Sequence, residues 1–238
     1  MENRYDDKLR EGNQLIISLS SANQVLRIIL ALELKKIFTK NKDIKVLEIG
    51  CGEGDSVAYI LKYNRGLKLD VLDISEEMIK ITKENLKEYG ESLNFICGDA
   101  LEYLRKTESY DLITASWTIH NFKWIDKLVL FKEIFNKLKL GGKLLIMDKI
   151  YPDDKNISKE FLDVTNKRYR YLGEDLEREM VLHEQQDYGE EFRMDESQTI
   201  EELEKIGFRN VRVIERVERE IVLIAERIII PPITTQIS

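Results

Sequence analysis

Three glycines alternate with other residues just after a short apolar run, in the segment Val46–Ser56, which reads VLEIGCGEGDS. Gly50, Gly52 and Gly54 lie between a predicted strand and a predicted helix, where glycine permits left-handed backbone angles and the close approach of a ligand. The N-terminus of that helix would offer free N–H groups. Such a loop is typical of a site that holds a nucleotide-like ligand.

The spacing and charge of this loop do not suit a pyrophosphate. A dinucleotide site requires G-x-G-x-x-G with the pyrophosphate on the helix N-terminus, whereas the spacing here is G-x-G-x-G and Asp55 follows it. Glu48 and Glu53 add more negative charge beside the loop. These acids favour a ligand that carries a positive charge, such as an ammonium or a sulfonium group.

Two further carboxylates are predicted at the same edge of the sheet. Asp73 ends the second predicted strand and can accept hydrogen bonds from both hydroxyls of a ribose, whereas the nearby Asp70 lies mid-strand. Asp99 lies in the segment CGDA that ends the third predicted strand, where a carboxylate or its neighbouring N–H can contact the amino edge of an adenine. Structural alternatives stay open, because Glu48 could simply order the loop and Asp99 could cap a helix.

Strands alternating with helices must position these residues. Five short apolar runs predict the strands, at residues 44–50, 67–75, 93–100, 110–117 and 141–149. The helical segments between them predict a parallel sheet with right-handed crossovers and a ligand beyond the carboxyl ends of the strands. Expected N-caps are Asp55 or Ser56, Ser75 and Ser197, and Gly90 is expected to end the second helix of the alternation.

The alternation breaks after the fifth strand. Residues 151–196 are helix-prone, aromatic and charged, and we interpret them as a helical lid insertion. Residues 197–228 predict a closing helix and a strand pair. Residues 1–40 predict N-terminal helices with an apolar stripe that belongs to the core, formed by Leu15, Ile16, Leu19, Val25, Ile28, Ile29 and Leu32. With a cofactor-binding core at 41–150, we expect the whole chain, 1–238, to form a single domain.

Five motifs occur in a fixed order along the chain: VLEIGCGEG, LDIS, GDA, YDLITAS and LKLGGKLLIMD. Together they resemble the ordered motifs of the class I S-adenosylmethionine-dependent methyltransferases, over about residues 45–149. The resemblance implies an α/β, Rossmann-like fold, with a seven-stranded, mostly parallel sheet and helices on both faces. It also implies an antiparallel last strand, a helical insertion after strand five, and S-adenosyl-L-methionine as the cofactor.

The resemblance implies a role for each matched residue. The glycine loop would hold the methionine part of the cofactor, and Glu48 would order that loop or the cofactor's amino group. Asp73 would hold the ribose, Ile74 would pack on the adenine, Asp99 would contact the adenine edge, and Ser116 would border the sulfonium. The full predicted cofactor-binding set is Glu48, Gly50, Cys51, Gly52, Gly54, Asp73, Ile74, Asp99, Ala100 and Ser116.

Two residues on the acceptor side are candidate catalytic groups. His120 follows the fourth strand in SWTIHNF and is predicted to act as a general base or to orient the substrate, unless it only shapes the loop. Lys149 leaves the fifth strand beside Asp148, and period-two alternation predicts that only one of the two faces the site. Lys149 could bind a carboxylate or lie on the surface, and His183 is interpreted as a surface or packing residue.

Aromatic and arginine side chains predict a substrate-binding lid that excludes water. Neither a Pro-Pro-aromatic motif nor a cysteine follows strand four, which disfavours methylation of amino nitrogens and of cytosine carbon 5. We therefore expect a small-molecule acceptor and SN2 displacement at the sulfonium methyl. The predicted substrate-binding residues are Trp117, Tyr151, Tyr169, Arg170, Tyr188 and Arg193.

Two other functions stay open. The layout from DKIYPDD to SQTIEELEKIGF loosely resembles enzymes that use carboxy-S-adenosylmethionine to modify the tRNA wobble uridine. In that case Lys149, Arg170 or Arg193 would meet the added carboxylate. A non-catalytic cofactor-binding module is the other alternative.

Composition narrows the class of partner. The 238 residues are 43% hydrophobic and 34% charged, as in soluble globular proteins, and the net charge of −7 disfavours nucleic acid. Two cysteines and a charged, leaderless N-terminus predict a cytoplasmic protein without disulfide, metal site or membrane span. The N-terminal helices or the apolar tail could form a homodimer surface.

Overall fold

The computed structural model describes residues 21–41 and 43–228, with side chains from Asn23 onward. The strands of this part are β1 Val46–Ile49, β2 Leu69–Asp73, β3 Leu93–Cys97, β4 Tyr110–Ser116, β5 Leu138–Lys149, β6 Arg209–Val217 and β7 Glu220–Glu226. The α-helices are α1 Ser21–Phe38, α2 Asp55–Tyr63, α3 Glu76–Asn85, α4 Ala100–Lys106, α5 Trp124–Lys137, α6 Lys155–Tyr169, α7 Glu174–Tyr188 and α8 Glu196–Ile206. Short 3-10 helices cover Lys87–Ser92, Ile119–Asn121 and Arg170–Leu172.

The strands form one sheet in the order β3-β2-β1-β4-β5-β7-β6. β1 pairs in parallel with β2 and β4, and the parallel pairing continues to β3 and β5. β7 is antiparallel to both β5 and β6. The predicted fold, with its antiparallel last strand and the helical insertion after β5, is therefore confirmed. The strand order reverses between β1 and β4, which creates the crevice where such sheets bind ligands.

Helices cover both faces of the sheet because successive strand residues point to opposite sides. On β1, Leu47 and Ile49 join the core formed with α4, α5 and α8, whereas Val46 joins the core formed with α1, α2 and α3. This alternation explains why the parallel strands read as continuous apolar runs.

The buried stripe of α1 differs from the predicted one. Leu26, Leu30, Leu34 and Phe38 are buried at four-residue spacing, while Val25 and Leu32, taken as core positions, are 46% and 38% exposed. An almost uniformly apolar helix does not reveal which face packs on the sheet. The predicted stripe positions before residue 21 lie outside the described residues, as does the tail from residue 229.

The N-termini of α3 and α2 test the capping residues that the sequence predicts. Ser75 caps α3 as predicted, because its hydroxyl accepts a hydrogen bond from the N–H of Met78. The predicted cap of α2 is wrong: Gly54, in left-handed conformation, precedes the helix, and Asp55 is its first residue.

Three other boundaries also differ from the prediction. Asp195 precedes α8, while Ser197, the expected cap, donates its hydroxyl to Asp153 at 2.5 Å. α3 ends before Gly90, because a 3-10 helix takes over at Lys87. β5 begins at residue 138 rather than 141, through an irregular pairing with β4. No helix in 21–41 or 43–228 has the length and apolar character needed to cross a membrane.

Candidate active site

The glycine loop lies against the segment that follows β4. Gly50, Gly52 and Gly54 have φ angles of 72°, 52° and 91°, a backbone region that favours glycine. The N–H of Gly50 donates to the carbonyl of Leu72 at 2.7 Å, which ties the loop to β2. A Cβ atom on Gly50 would collide with the side chain of Thr118, whose hydroxyl donates to the Gly50 carbonyl at 3.1 Å. The loop and the end of β4 therefore form the two walls of one mouth.

Asp73 anchors the loop from the end of β2. Its carboxylate accepts hydrogen bonds from the N–H groups of Gly52 and Ser75, both at 2.9 Å. Burial raises the pKa of Asp73, and these hydrogen bonds oppose that rise. Each oxygen retains a second lone pair, so the carboxylate can still accept from ribose hydroxyls. Asp70 is instead committed to Tyr110, whose hydroxyl donates to it at 2.7 Å.

Glu48 is fully buried in the middle of the sheet and contacts β4. The hydroxyl of Thr114 donates to its Oε2. Its Oε1 and the Oγ of Ser116 are buried without a hydrogen bond of ordinary geometry among the described residues. Burial raises the pKa of Glu48 to about 7, against the opposing influence of Thr114 and Ser116. These orphaned polar atoms fit a polar, positively charged ligand group.

Asp99 performs the structural role that the sequence left open. Its Oδ1 accepts from the N–H groups of Leu101 at 2.9 Å and Glu102 at 3.1 Å, so it caps α4. The N–H of Gly98 donates to the Asp73 carbonyl at 2.9 Å, which brings Asp99 and Ala100 to the same sheet edge.

The remaining predicted cofactor contacts differ in their surroundings. Ile74 is partly buried directly after Asp73. Cys51 is buried in the loop, and burial raises the pKa of its thiol, so the thiol stays protonated at neutral pH. Cys97 is exposed at the end of β3. We call the glycine loop together with Glu48, Asp73 and Ser116 the cofactor edge.

His120 lies beside this edge and is held by a buried carboxylate. Its Nδ1 lies 2.6 Å from Oδ1 of Asp148 on β5, and both side chains are nine-tenths or more buried. The same carboxylate accepts from the backbone N–H groups of Thr118, Ile119, His120 and Lys149. Burial alone would raise the pKa of Asp148, but the charge of His120 and these hydrogen bonds lower it. The ionised carboxylate thus fixes the orientation of the imidazole.

Lys149 joins a buried ionic group on helix α7 of the insertion. Its Nζ lies 3.1 Å from Glu184 and 2.7 Å from Asp187, and Arg219, in the β6–β7 turn, also pairs with Glu184. Burial alone would lower the pKa of Lys149, but the two carboxylates outweigh burial and raise it. We call Lys149, Glu184, Asp187 and Arg219 the lid cluster. The surface alternative for Lys149 is wrong, and its ammonium is already neutralised.

The sequence left open whether His183 is a surface or a packing residue, and the structure shows that it is buried. It is 6% exposed, and its ring meets that of His120 edge-on at 6.3 Å between centroids. Burial, with Lys149 nearby, lowers the pKa of His183 to about 4, so it is neutral at pH 7. Ligand atoms of His183, Glu184 and Asp187 lie within 4.8 Å of one another. A metal ion there would compete with Lys149 and Arg219 for the same carboxylates.

The predicted substrate-binding residues fall into separate groups. Tyr151 and Tyr188 pack edge-on at 5.2 Å, and Arg193 lies over both rings at 5.0 and 4.4 Å. Arg193 also pairs with Asp195 at 2.6 Å.

Three others lie apart from that aromatic group. The Tyr169 hydroxyl donates to Glu184 at 2.6 Å and so joins the lid cluster, while Arg170 is exposed. Trp117 lies at the cofactor edge, stacked against Arg27 at 4.9 Å.

Sequence reasoning missed Arg27, Glu184, Asp187 and Arg219. A charged residue inside the apolar stripe of α1 was the available signal for Arg27. The partners in the lid cluster lie 35 to 38 residues apart along the chain, so no local pattern indicates them.

A family model described as a methyltransferase domain matches residues 46–142, the segment that contains the glycine loop, Asp73 and Asp99. Over these residues the chain has a methyltransferase domain, in agreement with a class I S-adenosylmethionine-dependent methyltransferase. The family resemblance seen in the sequence is thereby confirmed, as is S-adenosylmethionine as its cofactor. The acids and orphaned polar atoms of the cofactor edge fit this cofactor, whereas the individual site residues stay predictions.

This chain is similar to curated proteins with two different names. It is 34% identical over 154 residues to malonyl-[acyl-carrier protein] O-methyltransferase 1 of Ilyobacter polytropus, covering 56% of each chain. It is 26% identical over 197 residues to carboxy-S-adenosyl-L-methionine synthase of Nautilia profundicola, covering 79% of this chain and 78% of that one. The chain thus spans only about half the length of the first relative.

Solved structures share the fold of this chain. One is PigF with SAH, with a TM-score of 0.58 and 19% identity, over 79% of this chain and 53% of that one. This level of identity supports the fold and leaves the acceptor open.

Proposed function

We propose that this protein transfers a methyl group from S-adenosylmethionine to a small-molecule acceptor that loses a proton to His120. The observation that carries this proposal is the 2.6 Å pair between His120 and Asp148 beside the cofactor edge. A base oriented by a carboxylate is the arrangement expected when an acceptor hydroxyl or ammonium must be deprotonated.

The cofactor supplies an electrophilic methyl group on a sulfonium. Asp73 holds the ribose end, and the glycine loop fixes the methionine end against the segment after β4. The Nε2 of His120 makes no hydrogen bond among the described residues, so it is free to accept the acceptor's proton. Asp148 stabilises the resulting imidazolium through Nδ1–H. Alignment of acceptor and methyl group, with water excluded, supplies most of the rate enhancement.

Lys149, first predicted to be catalytic, has a different role in this proposal. Because Glu184 and Asp187 neutralise its ammonium, we assign Lys149 to holding α7 on β5. This contact keeps His183 next to His120. Lys149 is therefore a positioning residue.

The test uses S-adenosylmethionine with a tritiated methyl group and a panel of small hydroxyl, amine and carboxylate acceptors. With the acceptor found, His120→Asn should lower kcat by about 10²- to 10⁴-fold and leave affinity for S-adenosylhomocysteine unchanged. His183→Asn is the matched control and should lower kcat much less. Full activity of His120→Asn, or an acceptor without a proton to lose, would contradict the role of His120.

The second candidate function involves carboxy-S-adenosylmethionine. The similarity to a carboxy-S-adenosyl-L-methionine synthase over 78% of that protein favours it. This chain would then make the carboxylated cofactor or, as the sequence alternative had it, use it to modify tRNA. Mass spectrometry of the cofactor retained by purified protein separates the candidates, because a mass increase of one carboxylate rejects a plain methyl donor. Methyl transfer to any acceptor rejects a non-catalytic module.

A further inference from the structure

Arg27 is a buried cation that connects the two walls of the cofactor mouth. It lies on α1 and is 4% exposed. Its guanidinium stacks on the ring of Trp117, directly after β4, at 4.9 Å. Its Nη2 lies 3.3 Å from Asp55, the first residue after the glycine loop. Arg27 therefore touches the residues that bound the loop on one side and β4 on the other.

The hydrogen bonding of this guanidinium is incomplete. A guanidinium has five N–H donors, and Arg27 makes one long hydrogen bond, while its Nε is buried without a partner among the described residues. Its carboxylate partner among the described residues, Asp55, has a side chain that is 55% exposed, so solvent screens this pair. Burial lowers the pKa of Arg27 more than Asp55 and Tyr59 raise it, as expected for a cation with too little compensation.

The backbone beside Arg27 is in an unusual conformation. Trp117 has a φ of 46°, in the left-handed region that a bulky residue rarely adopts. Its N–H donates to the carbonyl of Met147 at 2.7 Å, and the adjacent Ser116 Oγ makes no hydrogen bond of ordinary geometry among the described residues. This geometry holds the indole against the guanidinium plane, while the buried Nε keeps an unused N–H donor among the described residues.

We propose that Arg27 binds a carboxylate at the cofactor mouth. A planar carboxylate matches the two parallel N–H donors of a guanidinium and would compensate its buried charge. The proposal rests on the proposed function, because it places this subsite beside the S-adenosylmethionine site. Two sources supply the same chemistry: the carboxylate of the cofactor's methionine part and a carboxylate on the acceptor.

Isothermal titration calorimetry on the full chain distinguishes these sources. The proteins are wild type, Arg27→Met, Arg27→Lys and the control Arg65→Met, which removes an exposed arginine. The probes are S-adenosylhomocysteine, its decarboxylated form, and malonate or succinate added to protein saturated with S-adenosylhomocysteine. Thermal unfolding verifies that each variant is folded, and Arg27→Lys keeps the charge if Arg27→Met fails to fold.

If Arg27 binds the carboxylate of the cofactor, Arg27→Met should lose about 10- to 100-fold in affinity for S-adenosylhomocysteine. Its affinity for the decarboxylated form should not change. If Arg27 instead binds a carboxylate of the acceptor, Arg27→Met should keep its affinity for the cofactor and lose the binding of malonate or succinate. In both cases Arg27→Lys should retain part of the affinity, and Arg65→Met should behave as wild type.

Two results would overturn the subsite. One is an Arg27→Met protein that binds every probe as wild type does. The other is an equal loss of affinity for both forms of the cofactor, which would mark Arg27 as purely structural. Wild-type protein that binds neither form of the cofactor would instead contradict the proposed function.

Discussion

Arg27 and Arg219 are both nearly fully buried, but their surroundings differ. Arg219 makes four hydrogen bonds, to Glu184 twice, to Tyr151 and to Glu220. Among the described residues, Arg27 makes one, to an exposed aspartate. The same contrast separates their regions, since the charges of the lid cluster pair with one another. At the cofactor edge, Oε1 of Glu48 and Oγ of Ser116 are instead buried without a hydrogen bond of ordinary geometry among the described residues.

The difference in hydrogen bonding distinguishes charged groups that stabilise the fold from charged groups that are available to bind a ligand. In a buried ion that is fully hydrogen-bonded within the fold, these bonds compensate the free energy of desolvation. Removing the partner leaves that desolvation uncompensated and destabilises the fold. A buried polar group without a partner implies a ligand or a water molecule that completes it. Both regions lie at the carboxyl end of the sheet, so position alone would not have separated them.

The largest expected effect is on the lid cluster. Arg219→Met should lower the free energy of unfolding by about 3 to 5 kcal/mol, because it leaves Glu184 buried with only Lys149 as cation. Urea denaturation measures the change, and Arg170→Met, which removes an exposed arginine of the same insertion, should change stability by less than about 0.5 kcal/mol. A loss below about 1 kcal/mol for Arg219→Met would show that the cluster is not tightly coupled to the fold.

An intermediate effect is expected from Glu48 and depends on pH. Its pKa in the folded protein is about 7, above its ordinary value of 4.5, so between these values the folded state keeps a proton that the unfolded state has released. The stability of the ligand-free protein should therefore fall as pH rises from about 4.5 to 7, by on the order of 3 kcal/mol.

Glu48→Gln tests this dependence because it removes the titrating group and keeps the shape. Denaturation curves between pH 4.5 and 7 should show a flatter slope for Glu48→Gln than for wild type. Glu53→Gln, in the glycine loop, is the control and should keep the wild-type slope. Parallel profiles for wild type and Glu48→Gln would contradict the assignment of the slope to Glu48.

The smallest expected effect completes the comparison of the two arginines. Without ligand, Arg27→Met should change stability by no more than about 1 kcal/mol, because its one ion pair is screened and methionine retains apolar contact with Trp117. Thermal unfolding of Arg27→Met beside Arg219→Met measures both under identical conditions. Equal destabilisation by the two substitutions would remove the distinction between the two regions.

Local patterns predict much of this molecule. The five apolar runs, the glycine loop and Ser75 depend on neighbouring residues, so the alternation of strands and helices indicates the sheet and the cofactor edge. Asp73 could be selected over Asp70 because only Asp73 ends its strand. The mid-strand position of Asp70 agrees with its bond to Tyr110.

Long-range pairing could not be predicted. Lys149 and His183 were treated separately because nothing local indicates that α7 packs on the end of β5. The buried face of α1 was misidentified because most of its faces are apolar, and Arg27 was missed with it. The cap of α2 was wrong because a left-handed glycine replaced a side-chain cap.

The central claim is that the cofactor edge binds S-adenosylmethionine through Asp73. Calorimetric titration of S-adenosylhomocysteine into wild type and Asp73→Ala tests it most directly, with thermal unfolding to verify folding. We expect binding to wild type and a loss of roughly 100-fold or more in Asp73→Ala, since the variant loses the ribose acceptor and the anchor of Gly52. A folded Asp73→Ala protein with wild-type affinity would contradict the account.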